Sequence, residues 1–198
     1  MKIKMPKKYL KIWQKAKPIL EKGKEGDTVH CRQTAELVLN YIGENKKGDP
    51  DVLVPVAMMH DIGHAAILPQ HIKYVTGPEK FPGGKLVHML AGAKIADDIL
   101  KSVKYPPARR KEVVEIISMH DFDQLKDPNF AKAYDTLNKK LFHDLDSLDR
   151  FSKKRFESIM KLYRCGPQEA IGLLLKETKF FLPEIEAKAK EMLKNLKL

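Results

Sequence analysis

Cysteine is scarce in this 198-residue chain: Cys31 and Cys165 are the only two, and no metal-type spacing links them. That count excludes a disulfide-rich scaffold and a structural thiolate zinc site, and both cysteines are expected as reduced thiols. Long apolar runs are missing too. No stretch approaches the eighteen or so apolar residues needed to cross a bilayer, and the lysine-rich start lacks the apolar segment of a signal peptide, so the chain is expected in the cytoplasm without membrane contact. Sustained alternation of apolar and β-branched residues is absent as well, which leaves helices as the economical reading.

The charge is plentiful but lopsided. Of the net +11, residues 1 to 24 contribute +8 through nine lysines and one glutamate, so the remaining chain is nearly neutral. Those lysines are spread without arginine clusters or stacking aromatics, which points to a solvated basic helix face and not to a nucleic-acid arm. Nucleic acid is therefore not an expected partner, and the sequence leaves the oligomeric state open. The length suits one domain with helical appendages. Its expected organisation is a basic helix in residues 1–26, a core in 27–165, and C-terminal helices in 166–198.

Proline, glycine and capping residues set the expected helix limits. A first helix is predicted over Pro6 to Leu20 with Leu10, Trp13 and Ala16 or Lys17 inward, ended by Gly23 and Gly26. Asp27 or Thr28 caps a second, which carries His30 and turns Leu37, Val38 and Tyr41 inward. Asp49 before Pro50 opens a third that runs through Met58, Met59 and His60 and stops at Gly63. Residues 69–85 hold three prolines and three glycines and read as a loop long enough to be a lid. A helix restarts at Lys85 with the stripe Leu86, Leu90, Ala93, Ala96 or Asp97, and Leu100. Pro106 and Pro107 break it and open another with the stripe Val113, Ile116, Ile117 and His120. A helix from about Ala131 buries Leu137, Leu141, Leu145 and Leu148 and continues to Leu162. Further helices begin at Gly166–Pro167 and at Pro183.

Four of the seven histidines fall on inward or end-of-helix positions. Neutral imidazole ligates metals, and carboxylate supplies negative charge and can bridge two ions; the combination suits a hard-to-intermediate divalent ion that activates water. His120 completes an i, i+3, i+4, i+7 stripe, so it faces the core. The adjacent pair His60–Asp61 can reach one ion only near a helix end, because neighbours on a helix diverge by about 100°.

Taken together, the chain resembles the HD-domain superfamily of metal-dependent phosphohydrolases. The likeness rests on His30 in TVHCRQTAELV, His60 and Asp61 in AMMHDIG, His88 in HMLAGAKIADDIL, His120 in EIISMHD and Asp146 in FHDLDSLDRF. Intervals of 30, 28, 32 and 26 residues separate His30, His60, His88, His120 and Asp146. Each ligand can then come from a different antiparallel helix. The resemblance covers residues 28–152 and implies an all-α HD-domain bundle with extra N- and C-terminal helices. By it, one ion takes His30, His60, Asp61 and Asp146, and a second takes Asp61 as bridge with His88 and His120. Two divalent transition-metal ions are expected, drawn from iron, manganese, cobalt and nickel. Asp146 is preferred to Asp144 because it lies one turn from Phe142 and Asp149, beside the Leu145 and Leu148 stripe.

The chain departs from the family at two places. His64 stands where many dinuclear relatives have lysine, so proton donation can survive there but a fixed positive charge cannot. The Gly-Tyr-Pro segment of cyclic-dinucleotide phosphodiesterases is replaced by DFDQLKDP after His120, which disfavours that substrate. The expected activity is hydrolysis of a phosphoester in a nucleotide or other small phosphorylated metabolite, with Asp61 and His64 as catalytic residues. Arg32, Lys73, Lys85 and Arg150 are unranked candidates for contacting phosphate, and His71 and His143 are expected to be surface or hydrogen-bonded residues. Two alternatives use the same residues: a di-iron oxygenase, and a non-catalytic nucleotide or metal sensor.

Overall fold

The computed structural model describes residues 5–76 and 78–196, and every regular element among them is helical. Lys2 and Lys4 of the basic stretch and Gly77 of the expected loop lie outside the described residues. The helices are α1 (Lys7–Leu20), α2 (Asp27–Asn45), α3 (Pro50–Met59), α4 (Pro82–Ser102), α5 (Pro107–Ile117), the single turn α6 (Phe130–Ala133), α7 (Leu137–Asp149), α8 (Lys153–Tyr163), α9 (Pro167–Glu177) and α10 (Pro183–Asn195). Short 3-10 turns occupy Ile62–Ala66, Pro69–Tyr74 and Phe122–Leu125. Contacts divide the chain into two compact units, Met1–Phe142 and His143–Leu198, with the boundary inside α7.

In the first unit α3 is the central element, packed by α1, α2 and α5. Its residues from Val52 to Met59 are all buried, as expected of a helix that is apolar on every side. Asp49 caps it by accepting the Asp51 N–H, and Pro50 occupies the first turn, where no amide donor is needed. Pro55 deprives the Asp51 carbonyl of its helical partner, and the Tyr105 hydroxyl takes that place at 2.6 Å. The Asp51 carboxylate binds Lys8, the Tyr9 hydroxyl at 2.6 Å and Arg109 Nη1 at 2.8 Å, tying α1 and α5 to the start of α3.

Several expected faces are turned. On α1 the buried residues are Tyr9, Ile12, Ala16 and Leu20, whereas Leu10 is exposed and Trp13 half-buried. That row meets α3 and lets Tyr9 reach Asp51, while the exposed positions keep Lys7, Lys11, Lys15 and Lys17 in water. On α4 Ala93, Ala96 and Leu100 are inward as expected, but Leu86 and Leu90 are exposed; Lys85, His88, Met89 and Gly92 are buried instead. The expected loop is partly ordered, since residues 69–74 form a 3-10 turn and α4 begins three residues early, at Pro82. Gly84 makes that start possible, because a Cβ there would lie 2.2 Å from the Tyr74 carbonyl oxygen. α5 ends at Ile117, so His120 is buried from a following turn and not from the helix stripe. Leu137 is exposed, and the helix expected to reach Leu162 breaks after Asp149, where Ser152 caps α8 by accepting the Arg155 N–H at 3.4 Å.

The second unit is organised by a buried carboxylate. Asp144 is fully buried and accepts the backbone N–H groups of Phe181 at 3.0 Å and Leu182 at 2.7 Å, with His143 Nδ1 at 2.9 Å. Asp144→Ala should lower the unfolding free energy by about 3 kcal/mol, because it strands two part-buried backbone donors and a buried imidazole. Urea denaturation measures this, and a loss within about 0.5 kcal/mol of zero contradicts it.

Candidate metal centre

The helix order brings five of the six expected ligands together within the first unit. His30 comes from the first turn of α2, His60 caps the end of α3, and Asp61 follows as the chain tightens into the Ile62–Ala66 turn. This change of pitch is what lets two adjacent residues face one point. His88 comes from α4 and His120 from the turn after α5. Asp146 belongs to the second unit, half-buried on α7, and its place in the set rests on sequence order.

The imidazoles form two pairs. His30 and His60 face each other through Nε2 at 3.1 Å, and His88 and His120 do so at 3.2 Å. The Asp61 carboxylate lies between the pairs. Its Oδ2 is 3.9 Å from His30 Nε2 and 3.6 Å from His60 Nε2, and its Oδ1 is 3.9 Å from His88 Nε2 and 3.7 Å from His120 Nε2. Asp61, His88 and His120 offer ligand atoms close enough to hold one ion.

Second partners orient these rings. His120 Nδ1 lies 2.8 Å from the Ile117 carbonyl and His60 Nδ1 3.2 Å from that of Ala57; protons on Nδ1 leave the Nε2 lone pairs facing the centre. Burial and then His120 push the His88 pKa well below the ordinary imidazole value, so its ring is neutral and able to ligate a metal. For Asp61, burial acts upward, but the positive charge of His60, His64 and His30 when protonated, with a hydrogen bond from His120, outweighs it and holds the carboxyl well below its usual range; beside neutral imidazoles a bound cation would take over that role. Two imidazole nitrogens facing at such distances share either a proton or a cation, and with a carboxylate beside each pair the donor set fits a divalent ion or two.

His64 is buried beside this cluster. Its ring stacks on His88 with centroids 4.7 Å apart, its Nδ1 is 2.8 Å from Asp27 Oδ2 and 3.9 Å from Asp61 Oδ1, and its Nε2 has no hydrogen-bond partner among the described residues. Asp27, read from sequence as a helix cap, is instead a buried partner of His64 that also accepts the Lys24 N–H at 3.2 Å. A carboxylate three residues before His30 was the only signal for it. Lys85 and Asp121 are a further buried pair, Nζ to Oδ2 at 2.5 Å. Among the phosphate-contact candidates, Arg32 is exposed and pairs with Glu36, and Lys73 is exposed and pairs with Glu79. Lys85 alone of those in the first unit is buried at the centre, and Arg150 belongs to the second unit. His71 is exposed near the Tyr74 ring, and His143 is engaged with Asp144.

An all-helical unit with histidines and aspartate converging from four segments defines a metal-binding class of protein. The HD-domain family matches the chain over residues 28–150, and the chain belongs to that family. Neither the curated proteins nor the solved structures contain a match to it. Most members of the superfamily are metal-dependent hydrolases. No helix among the described residues is long and apolar enough to cross a membrane.

Proposed function

We propose that the chain hydrolyses a phosphoester in a nucleotide or other small phosphorylated metabolite, with two divalent transition-metal ions. The observation that carries this reading is the placement of Asp61, one oxygen toward His30 and His60 and the other toward His88 and His120. His30, His60, Asp61 and Asp146 would hold one ion; Asp61, His88 and His120 would hold the other. Bound there, the ions supply a Lewis acid that lowers the pKa of water and offsets charge on phosphoryl oxygens. Asp61 fixes the spacing of the two imidazole pairs and supplies the negative charge they lack. His64 is held through Nδ1 by Asp27, which leaves Nε2 for the proton exchanged with the leaving group. Burial of the rings limits the access of bulk water, so these charges act in a low-dielectric setting.

The test is reaction class. Manganese- or cobalt-reconstituted protein should hydrolyse at least one nucleotide or generic phosphoester without dioxygen, and Asp146→Ala should lower that activity sharply, though by less than Asp61→Ala. A hydrolase needs its ions only as Lewis acids, whereas an oxygenase must change iron valence. The reading fails if every divalent ion leaves a broad phosphoester panel untouched while the iron-loaded protein consumes dioxygen with an organophosphonate or a polyol.

A further inference from the structure

The ligand sets taken from sequence are unequal: four residues for the ion at His30 and His60, three for the ion at His88 and His120. The residue after His120 removes this inequality. Asp121 is 5% exposed, and its Oδ2 lies 3.6 Å from His88 Nε2 and 3.9 Å from His120 Nε2. Asp61 Oδ1 stands at 3.9 and 3.7 Å from the same two atoms. We propose that Asp121 is a ligand of the second ion, which is then held by His88, His120, Asp61 and Asp121. This rests on the two-ion reading of the centre.

The surroundings of Asp121 fix its carboxylate in place. Lys85 Nζ is 2.5 Å from Oδ2, Gln124 Nε2 donates to Oδ1 at 2.7 Å, and the Asp121 N–H points at Met89 Sδ at 3.3 Å. A carboxylate oxygen has two lone pairs, so Oδ2 can accept from the Lys85 ammonium and still face a cation. The competing account is a buried ion pair that does no more than join α4 to the turn after α5. Joining those two segments does not require the anionic oxygen to stand within 4 Å of two imidazole nitrogens, whereas ligation of a shared ion does. Two nitrogens and two carboxylate oxygens suit an ion of intermediate hardness such as Mn²⁺ or Fe²⁺, and Lys85 offsets the added negative charge.

The experiment is Mn²⁺ titration of chelator-stripped protein, following bound ion by electron paramagnetic resonance and calorimetry, with thermal melts as a check on folding. Wild type should take two ions per chain. Asp121→Asn keeps the shape and should weaken the second ion by more than roughly 100-fold, since even outer partners of ligands are worth about 10- to 100-fold. Lys85→Gln breaks the same ion pair, retains a donor to Asp121, and should still bind two ions. Two tight ions in Asp121→Asn, or equal loss in Lys85→Gln, overturns the proposal; so does a wild type that binds one ion at saturation. A chain whose second ion depends on Asp121 but which cleaves no phosphoester would sink the hydrolase reading and leave Asp121 a ligand.

Discussion

Asp61→Ala is expected to reduce kcat/KM on any phosphoester the protein cleaves by at least roughly 10²- to 10³-fold, about 3 to 4 kcal/mol of barrier, more than any other single ligand change. The size follows from position. Each other ligand serves one imidazole pair, whereas the two oxygens of Asp61 face His30 with His60 and His88 with His120. Removing it strips negative charge from both places at once and removes the one carboxylate described between the two imidazole pairs. Elemental analysis should show metal falling below one ion per chain. His64→Ala, by contrast, should slow turnover and retain metal, because Asp27 and not the centre holds its Nδ1. Metal lost with His64 and kept without Asp61 would reverse the two assignments.

The second large effect is on folding. A Cβ on Gly63 would lie 1.9 Å from the His88 carbonyl oxygen, 2.6 Å from Gly92 N and 2.8 Å from the His88 carbonyl carbon. All three are backbone atoms of α4, so no side chain can swing aside; the helix itself must retreat and take His88 with it. Gly63→Ala should therefore cost about 3 kcal/mol or more, and give either insoluble protein or a steep loss of thermal stability. Gly43→Ala is the natural control. Gly43 lies within α2, and a Cβ there meets nothing within 4 Å, so alanine should leave stability unchanged or raise it by about 0.5 to 1 kcal/mol. Equal melting behaviour of the two variants would show that the contact between α4 and the Ile62–Ala66 turn is not as tight as described.

Gly63 also marks what sequence could and could not convey. The sequence signalled a helix end near it, and α3 stops at Met59, four residues earlier, with Gly63 inside the following 3-10 turn; its use as a seat for α4 was not legible, since close approach involves a partner 25 or more residues away. Helix starts were readable at Pro50, Pro107, Pro167 and Pro183, where proline opens the first turn, but not at Pro82 or at the Ser152 cap of α8. Faces were harder. The stripe assigned to α4 followed hydrophobicity, yet His88 had to be inward and Gly92 had to meet Gly63, so Leu86 and Leu90 were carried to the surface. The histidines stood out by type and order, and the HD-domain likeness named them; Asp27, Asp121 and Lys85 did not, because charged residues are ordinarily solvated and only tertiary packing buries these three.

α3 gains a particular kind of inflexibility from being held at both ends. Its start is pinned by the Asp49 cap and by Lys8, Tyr9, Arg109 and Tyr105 around Asp51; its end delivers His60. Each residue advances the helix about 1.5 Å and turns it about 100°. Point substitutions among its buried residues alter volume alone and can be absorbed by repacking. One inserted or deleted residue cannot, because it would swing His60 and Asp61 a quarter-turn or more away from both partner pairs. The segment should therefore tolerate changes in its apolar composition but not in its length, with insertions accepted only in the connections on either side.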